Sequence, residues 1–184
     1  EYAFSGGDKW TLDAILEEVA SHGANYVTVT GGEPLAQPNC QPLLVALCDL
    51  GYEVSLETGG AMDIADVDER VSVVMDLKAP GSGEQHNNRL ENIPHLRPHH
   101  QVKFVLADRR DYDWARFMLD QHNLTARVSE VLAITPASFI DDGYDFGGVL
   151  KTLKQGAGRP SKRSLQRSPK RFIPILDRDF QTRI

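Results

Sequence analysis

The sequence predicts an α/β fold in which helices cover a parallel β-sheet that is closed, or partly closed, into a barrel. Short apolar runs typical of buried strands recur along the chain. Stretches whose apolar residues have helical spacing separate these runs. Alternation of the two kinds of segment is typical of βα units, which form parallel sheets.

The helices are predicted from their caps, their apolar stripes and their stops. Thr11 is a suitable N-cap for the first helix, which Gly23 ends. A second helix is predicted over 42–50, where leucines are spaced for burial, and a short helix at most at 65–70. An amphipathic helix is predicted at about 110–122.

The predicted strands cover residues 26–30, 53–57, 71–75, 102–106 and 131–134. A long polar loop at 79–100 contains one predicted helical turn near 88–93. Four histidines lie in this loop without regular ligand spacing, so a solvated loop is predicted there rather than a metal site.

Composition is that of a globular protein: the 184 residues are 41% hydrophobic and 25% charged. No apolar run approaches the roughly 18 residues of a membrane span, so no membrane partner is expected. Two cysteines without a disulfide framework predict a reducing, cytoplasmic compartment.

The formal charge of −6 is unevenly distributed. Residues 151–184 hold ten basic and two acidic side chains, whereas the rest of the chain is strongly acidic. The basic segment lacks aromatic interleaving and helical periodicity, so a disordered tail is predicted rather than a nucleic-acid-binding arm.

The most informative segment follows the first predicted strand. Gly31 and Gly32 leave the backbone bare, so that a ligand can approach the main chain closely. Glu33 supplies a carboxylate and Pro34 stiffens the turn. Open backbone groups beside a carboxylate suit a ligand that carries both an ammonium and a carboxylate group, as an amino acid does.

Polar residues also follow other predicted strands at their carboxyl ends, where parallel α/β sheets form ligand sites. These groups of polar residues lie at 30–33, 57–58, 76–78 and 135–136. We expect them to converge on one rim. Lys103 lies in an apolar strand and is expected to pair with Glu57 or Asp76, because an unpaired buried charge is unfavourable.

Residues 29–35, Val-Thr-Gly-Gly-Glu-Pro-Leu, resemble the GGEP motif of radical S-adenosylmethionine (SAM) enzymes. The wider pattern resembles the 7-carboxy-7-deazaguanine synthase family of queuosine biosynthesis, from residue 1 to about residue 136. The other matching segments are 2–7, 55–60, 75–84 and 101–105. The resemblance implies a partial (β/α) barrel of the radical SAM type over 1–139, incomplete at the N-terminus, followed by a divergent C-terminal segment at 140–184.

The resemblance also implies site residues. The SAM contacts that it implies are Gly31, Gly32, Glu33, Asp76, Leu77, Lys78, Thr135 and Pro136. The pterin substrate contact that it implies is Thr30. Glu57 and Lys103 are further candidate substrate contacts from their positions, although Glu57 could also bind SAM or have a structural role in the turn. The family often has Ser-Pro-Lys at 76–78, so only Lys78 transfers cleanly from that segment. No catalytic side chain or metal ligand is assigned.

Radical SAM enzymes bind a [4Fe–4S] cluster through a CxxxCxxC loop, which this chain lacks. Cys40 and Cys48 would lie about 12 Å apart along a helix, too far for a disulfide or shared cluster ligation. They are predicted to be small buried hydrophobes. The cluster ligands are expected upstream of residue 1, so that this chain would be an inactive fragment by itself.

By resemblance, the reaction converts 6-carboxy-5,6,7,8-tetrahydropterin to 7-carboxy-7-deazaguanine with loss of ammonia. It needs SAM, the [4Fe–4S] cluster, Mg²⁺ and an external electron donor of the flavodoxin or ferredoxin type, and the family commonly forms homodimers. Two other interpretations stay open: another radical SAM enzyme, such as a glycyl-radical activating enzyme, or a non-catalytic remnant.

Overall fold

The computed structural model describes residues 10–134. The α-helices are α1 (Leu12–Ser21), α2 (Cys40–Asp49), α3 (Arg109–His122) and α4 (Leu124–Arg127). The strands are β1 (Tyr26–Val29), β2 (Glu53–Thr58), β3 (Ser72–Leu77), β4 (Gln101–Val105) and β5 (Glu130–Ile134). Short 3₁₀-helices cover Pro34–Ala36, Pro80–Ser82, Gln85–Asn87 and Leu90–His95. Outside the described residues lie the motif at 2–7, the candidate site residues Thr135 and Pro136, and the predicted tail at 140–184.

The described residues divide into two compact units. The first contains residues 10–58 and 62–73, and the second contains 59–61 and 74–134. Strands pair in parallel within each unit, which confirms the predicted α/β class. Within residues 10–134, none of the helices combines the length and the hydropathy needed to cross a bilayer.

In the first unit, β1 pairs with β2, and Val29 lies opposite Leu56. The side chain of Thr11 accepts a hydrogen bond from the N–H of Ala14 at 3.2 Å, which caps α1 as predicted. Both helices and both strands contribute buried apolar side chains to the core of this unit. They include Ile15, Val27, Val29, Leu44, Leu47 and Leu56.

In the second unit, β3 pairs with β4 and β4 pairs with β5, so the strands follow chain order. Phe104 of β4 meets Trp114 of α3 edge to face, with ring centroids 5.9 Å apart. The carboxylate of Asp108 caps α3. The buried core of this unit includes Met75, Leu77, Val102, Phe104, Leu106 and Leu124.

The two connections beside β3 contain no α-helix. The sequence predicts a short helix at most at 65–70, and the helical turn predicted in the loop at 79–100 is confirmed as the 3₁₀-helix Leu90–His95. No helix forms at 65–70 between β2 and β3. The carboxylate of Asp63 instead accepts the N–H of Ala65. The carboxylate of Asp68 likewise accepts the N–H of Arg70. Such side-chain bonds to the local backbone favour turns over helix. Between β3 and β4 the chain forms three 3₁₀-helices and no α-helix.

The first residue of α2 and the presence of α4 also differ from the prediction. Helix α2 begins at Cys40, two residues before the predicted start at Pro42. Proline is tolerated there because N–H groups in the first turn have no intrahelical acceptor. Helix α4 has only four residues, too few to produce a recognisable hydrophobic period.

Asp111 ties the loop after β3 to helix α3. Its side chain is buried, with the residue 1% exposed. Oδ1 accepts the N–H of Gly81 at 2.7 Å, and Oδ2 accepts the N–H of Ala107 at 3.0 Å. A Cβ added to Gly81 would lie 2.5 Å from Oδ2, so this approach requires glycine. One carboxylate therefore fixes two loop backbones.

We predict that Asp111→Asn lowers the free energy of unfolding by about 1–3 kcal/mol. An amide has one acceptor oxygen where the carboxylate has two, so one backbone N–H would face an NH₂ group. The control is Asp113→Asn on the same helix, whose carboxylate is 56% exposed beside Arg109. We expect less than about 1 kcal/mol there. Urea denaturation measures both variants, and equal losses would contradict the assigned role of Asp111.

Candidate functional site

The double-glycine turn directly follows β1 and presents bare main chain. Gly31 has φ of 101° and Gly32 has φ of 48°, both in the region that L side chains rarely adopt. Both residues are exposed. Within residues 10–134, no atom beyond Gly31 and its two chain neighbours lies within 4 Å of a Cβ added to Gly31. The close approach of a ligand to this main chain, which the sequence predicts, is therefore sterically open at Gly31.

Glu33 is held in place beside this turn. Its Oε1 accepts the N–H of Leu35 at 3.2 Å, which caps the 3₁₀-helix that begins at Pro34. The hydroxyl of Thr58 donates to the same carboxylate, 3.0 Å from Oε1 and 2.9 Å from Oε2. Thr58 is the last residue of β2 and is 3% exposed. A buried hydroxyl on one strand thus anchors the carboxylate that follows the neighbouring strand.

The two strands of the first unit have one apolar and one polar face. Helices α1 and α2 cover the face that carries Val27 and Val29. The opposite face carries Thr28 and Ser55, half-buried residues whose hydroxyl oxygens lie 2.8 Å apart. Glu57 shares this face with Ser55, because side chains two apart on a strand point the same way. The predicted substrate contact Glu57 is therefore on the face that the helices leave uncovered.

A cluster of three charged side chains lies at the end of β3 in the second unit. Asp76 is opposite Lys103 of β4 in the sheet register. Its Oδ2 is 3.0 Å from Nζ of Lys78 and 3.6 Å from Nζ of Lys103. The pairing of Lys103 with Asp76, one of the two expected partners, is confirmed. The three side chains are 12% to 34% exposed, which leaves their mutual attraction only partly screened.

The second carboxylate oxygen of Asp76 is buried, and no hydrogen-bond donor among residues 10–134 reaches it. Leaving a buried acceptor unsatisfied costs about 1–3 kcal/mol. A ligand that carries an N–H or O–H group would supply the missing donor. Oδ1 of Asp76 is therefore a candidate ligand contact.

The sequence does not predict that the side chain of Asn88 holds the backbone of Lys78. Its Oδ1 accepts the backbone N–H of Lys78 at 2.8 Å, and its Nδ2 donates to the backbone oxygen of Lys78 at 2.8 Å. These two bonds continue the hydrogen-bonded ladder one residue past the end of β3. Nothing in the polar loop sequence singles out this asparagine, because the contact depends on how the loop folds back.

Two other candidate site residues, Leu77 and Thr30, are less exposed than the double-glycine turn. Leu77 is 1% exposed, so only its main chain is available to a ligand. Thr30 is half-buried and follows β1 directly. The structure groups Thr30, Gly31, Gly32, Glu33 and Glu57 in the first unit. It groups Asp76, Leu77, Lys78 and Lys103 in the second unit. The convergence of all four strand ends on one rim stays a prediction.

Cys40 and Cys48 are free, buried residues on α2, as predicted. Burial raises the pKa of Cys40 to about 11, and the negative charge of Glu33 adds to that shift. Burial also raises the pKa of Cys48. Both thiols therefore stay protonated near neutral pH, whereas cluster ligands are thiolates.

The prediction that all four histidines lie in a solvated loop is wrong for His100, which is 4% exposed. Its Nδ1 accepts the N–H of Arg97 at 3.1 Å, and its backbone oxygen accepts two hydrogen bonds from Ser129. The imidazole is buried because it closes the turn that leads into β4. The other three histidines are exposed.

No protein-family model matches the chain. Curated proteins named 7-carboxy-7-deazaguanine synthase are similar to most of it. The one from Koribacter versatilis (strain Ellin345) is 42% identical over 134 residues, which cover 72% of this chain and 59% of that protein. The one from Chlorobaculum tepidum is 38% identical over 131 residues, which cover 70% and 60%. The chain thus spans about three fifths of the length of these relatives.

Among solved structures, the crystal structure of QueE from Escherichia coli is similar to this chain with a TM-score of 0.60. The match covers 80% of this chain and 61% of that one at 15% sequence identity. At this identity the likeness concerns the fold alone. It confirms the fold class that the sequence predicts.

We predict that the free energy of unfolding falls as pH rises from about 9 towards 11. The unfolded thiol of Cys40 ionises near its ordinary value of 9.0, whereas the buried thiol keeps its proton to about 11. The unfolded state therefore gains stability in this window. Cys40→Ala should flatten this part of the profile, as measured by urea denaturation across the pH range. A variant profile parallel to that of the wild type would contradict the prediction.

Proposed function

Because this chain belongs to the 7-carboxy-7-deazaguanine synthase family, we propose that it forms the SAM- and substrate-binding part of such an enzyme. The enzyme would be a carbon–nitrogen lyase that converts 6-carboxy-5,6,7,8-tetrahydropterin to 7-carboxy-7-deazaguanine with loss of ammonia. The observation that carries the proposal is the double-glycine turn with its anchored carboxylate. The same residues form the GGEP-like motif on which the resemblance rests.

The turn suits the methionine end of SAM. Exposed main chain at Gly31 and Gly32 offers amide N–H and carbonyl groups to a ligand carboxylate and ammonium. The carboxylate of Glu33 favours the ammonium group, and its hydrogen bond with Thr58 limits its motion. Bound SAM would supply the radical chemistry of the proposed reaction, and residues 31–33 would hold its methionine end.

The charged cluster of the second unit suits an anionic ligand. Lys78 and Lys103 each bring an ammonium group to this cluster, and a ligand carboxylate would pair with such a group. The pterin substrate carries a carboxylate, and SAM carries another. Oδ1 of Asp76 would accept a hydrogen bond from an N–H or O–H group of the bound molecule. Glu57, on the polar face of β2, would contact the substrate with its carboxylate.

The residues of this chain do not fit a [4Fe–4S] cluster. It has two cysteines, both buried with raised pKa values, so we propose no ligation by them. Within the described range, histidine, cysteine and acidic residues form no group of three that could hold a metal ion. Mg²⁺, a homodimer and a flavodoxin or ferredoxin electron donor enter the proposal from the resemblance alone.

The lack of a cysteine trio favours one alternative, a non-catalytic protein that binds SAM or a nucleotide. Such a protein would share the turn but not the reaction. A glycyl-radical activating enzyme would instead share SAM cleavage and act on a protein glycine.

We predict that the product of the complete gene forms 7-carboxy-7-deazaguanine after anaerobic iron–sulfur reconstitution with SAM, Mg²⁺, a reductant and the carboxytetrahydropterin. Mass spectrometry of the reaction mixture measures the product. The Koribacter versatilis relative is the positive control. If the control turns over while this protein binds SAM without product, the non-catalytic alternative holds and the proposed activity is wrong.

We predict that Gly32→Val abolishes SAM binding by the product of the complete gene, because the added side chain would occupy main-chain surface that the ligand needs. Gly23→Val is the matched control, since Gly23 has a similar φ of 60° after α1 and no assigned role. Both variants carry comparable backbone strain. Calorimetric titration with SAM should show loss of affinity in Gly32→Val only. Equal affinities in the two variants would remove Gly32 from the site.

A further inference from the structure

We propose that Thr58 is a positioning residue for the SAM-binding turn and acts through the carboxylate of Glu33. This inference rests on the proposed function, because it concerns how the same turn is held ready for its ligand. Thr58 itself is buried at the end of β2, so it would not need to touch the ligand.

The geometry of Glu33 argues for this role. The hydroxyl of Thr58 lies 3.0 Å and 2.9 Å from the two carboxylate oxygens, which places it on the axis between them. Oε1 also accepts the N–H of Leu35 at 3.2 Å. The carboxylate is thus held from the neighbouring strand and from the helix that follows the turn. Two anchors at different angles restrict both the position and the rotation of the group.

The anchored carboxylate restricts the turn itself. Glu33 is the residue directly after Gly32, and its φ of −128° and ψ of 100° are those of extended backbone. Glycine backbone has more accessible conformations than any other, so Gly31 and Gly32 would otherwise sample many arrangements. Tying Glu33 to β2 removes part of that freedom before the ligand binds. A preformed site loses less conformational entropy on binding, which favours affinity.

A second hydroxyl pair on the same two strands provides a control. Oγ1 of Thr28 and Oγ of Ser55 lie 2.8 Å apart across β1 and β2. This pair resembles the Thr58 contact in chemistry and in the strands that it joins. It involves neither Glu33 nor the turn. Loss of either hydroxyl removes one cross-strand hydrogen bond, but only Thr58 should affect the ligand.

The test compares SAM affinity of four variants of the complete gene product by calorimetry, with thermal unfolding as the measure of structural damage. Thr58→Val keeps the side-chain shape and removes the donor, and Thr58→Ser keeps the donor. Thr28→Val is the control for a lost strand hydroxyl. We expect Thr58→Val to weaken binding by about tenfold or more, since a hydrogen bond to a charged group is lost. We expect near wild-type affinity for Thr58→Ser and Thr28→Val.

The fourth variant separates positioning from general damage. In a Glu33→Ala background, Thr58→Val should change SAM affinity no further, because Thr58 would have no carboxylate to hold. An additive loss in that background would overturn the inference, as would wild-type affinity of Thr58→Val. Either result would leave the proposed function standing if the wild type binds SAM. Absence of SAM binding by the wild type would instead overturn both.

Discussion

The main chain must turn through positive φ angles immediately after a buried strand, and the candidate site depends on this constraint. Val29 is buried at the end of β1, and two residues later Gly31 has φ of 101°. Only glycine adopts such a backbone readily, and only glycine leaves main-chain groups uncovered by a side chain. The chain then enters a 3₁₀-helix whose N-cap is Glu33. Strand end, bare backbone and carboxylate therefore follow one another within residues 29–33.

In each unit, the two faces of the strands differ in burial and in charge. Helices cover the apolar faces, where Leu56 and Phe104 are almost fully buried. The opposite faces carry polar residues, such as Asp76 of β3, which pairs with Lys78 and with Lys103 of the neighbouring strand. A carboxylate that lies between two ammonium groups reduces their repulsion and lowers the cost of holding both partly buried. Its second oxygen is buried and receives no hydrogen bond from residues 10–134.

Much of this could be predicted from the sequence because strong local signals mark it. The cap at Thr11, the strands and the double-glycine turn follow from patterns within a few residues. The anchor at Thr58 and the hydrogen bonds of Asn88 to Lys78 could not be predicted, because each joins distant residues and no charge in an apolar strand marks the contact, as it does for Lys103 and Asp76. The segment at 65–70, where a short helix at most is predicted and none forms, shows a different limit of sequence-based prediction. Asp63, just before that stretch, and Asp68, within it, each accept a hydrogen bond from a local backbone N–H, and such bonds favour turns over a helix.

We propose that the bare turn at Gly31 and Gly32 seats the methionine end of SAM, and the rest of the proposed function depends on this contact. A crystal structure of the complete gene product with bound SAM tests it most directly. We predict that the amino or carboxylate group of the ligand lies within hydrogen-bond distance of main-chain atoms of residues 31–33. Electron density for the methionine end at any other part of the protein would contradict it.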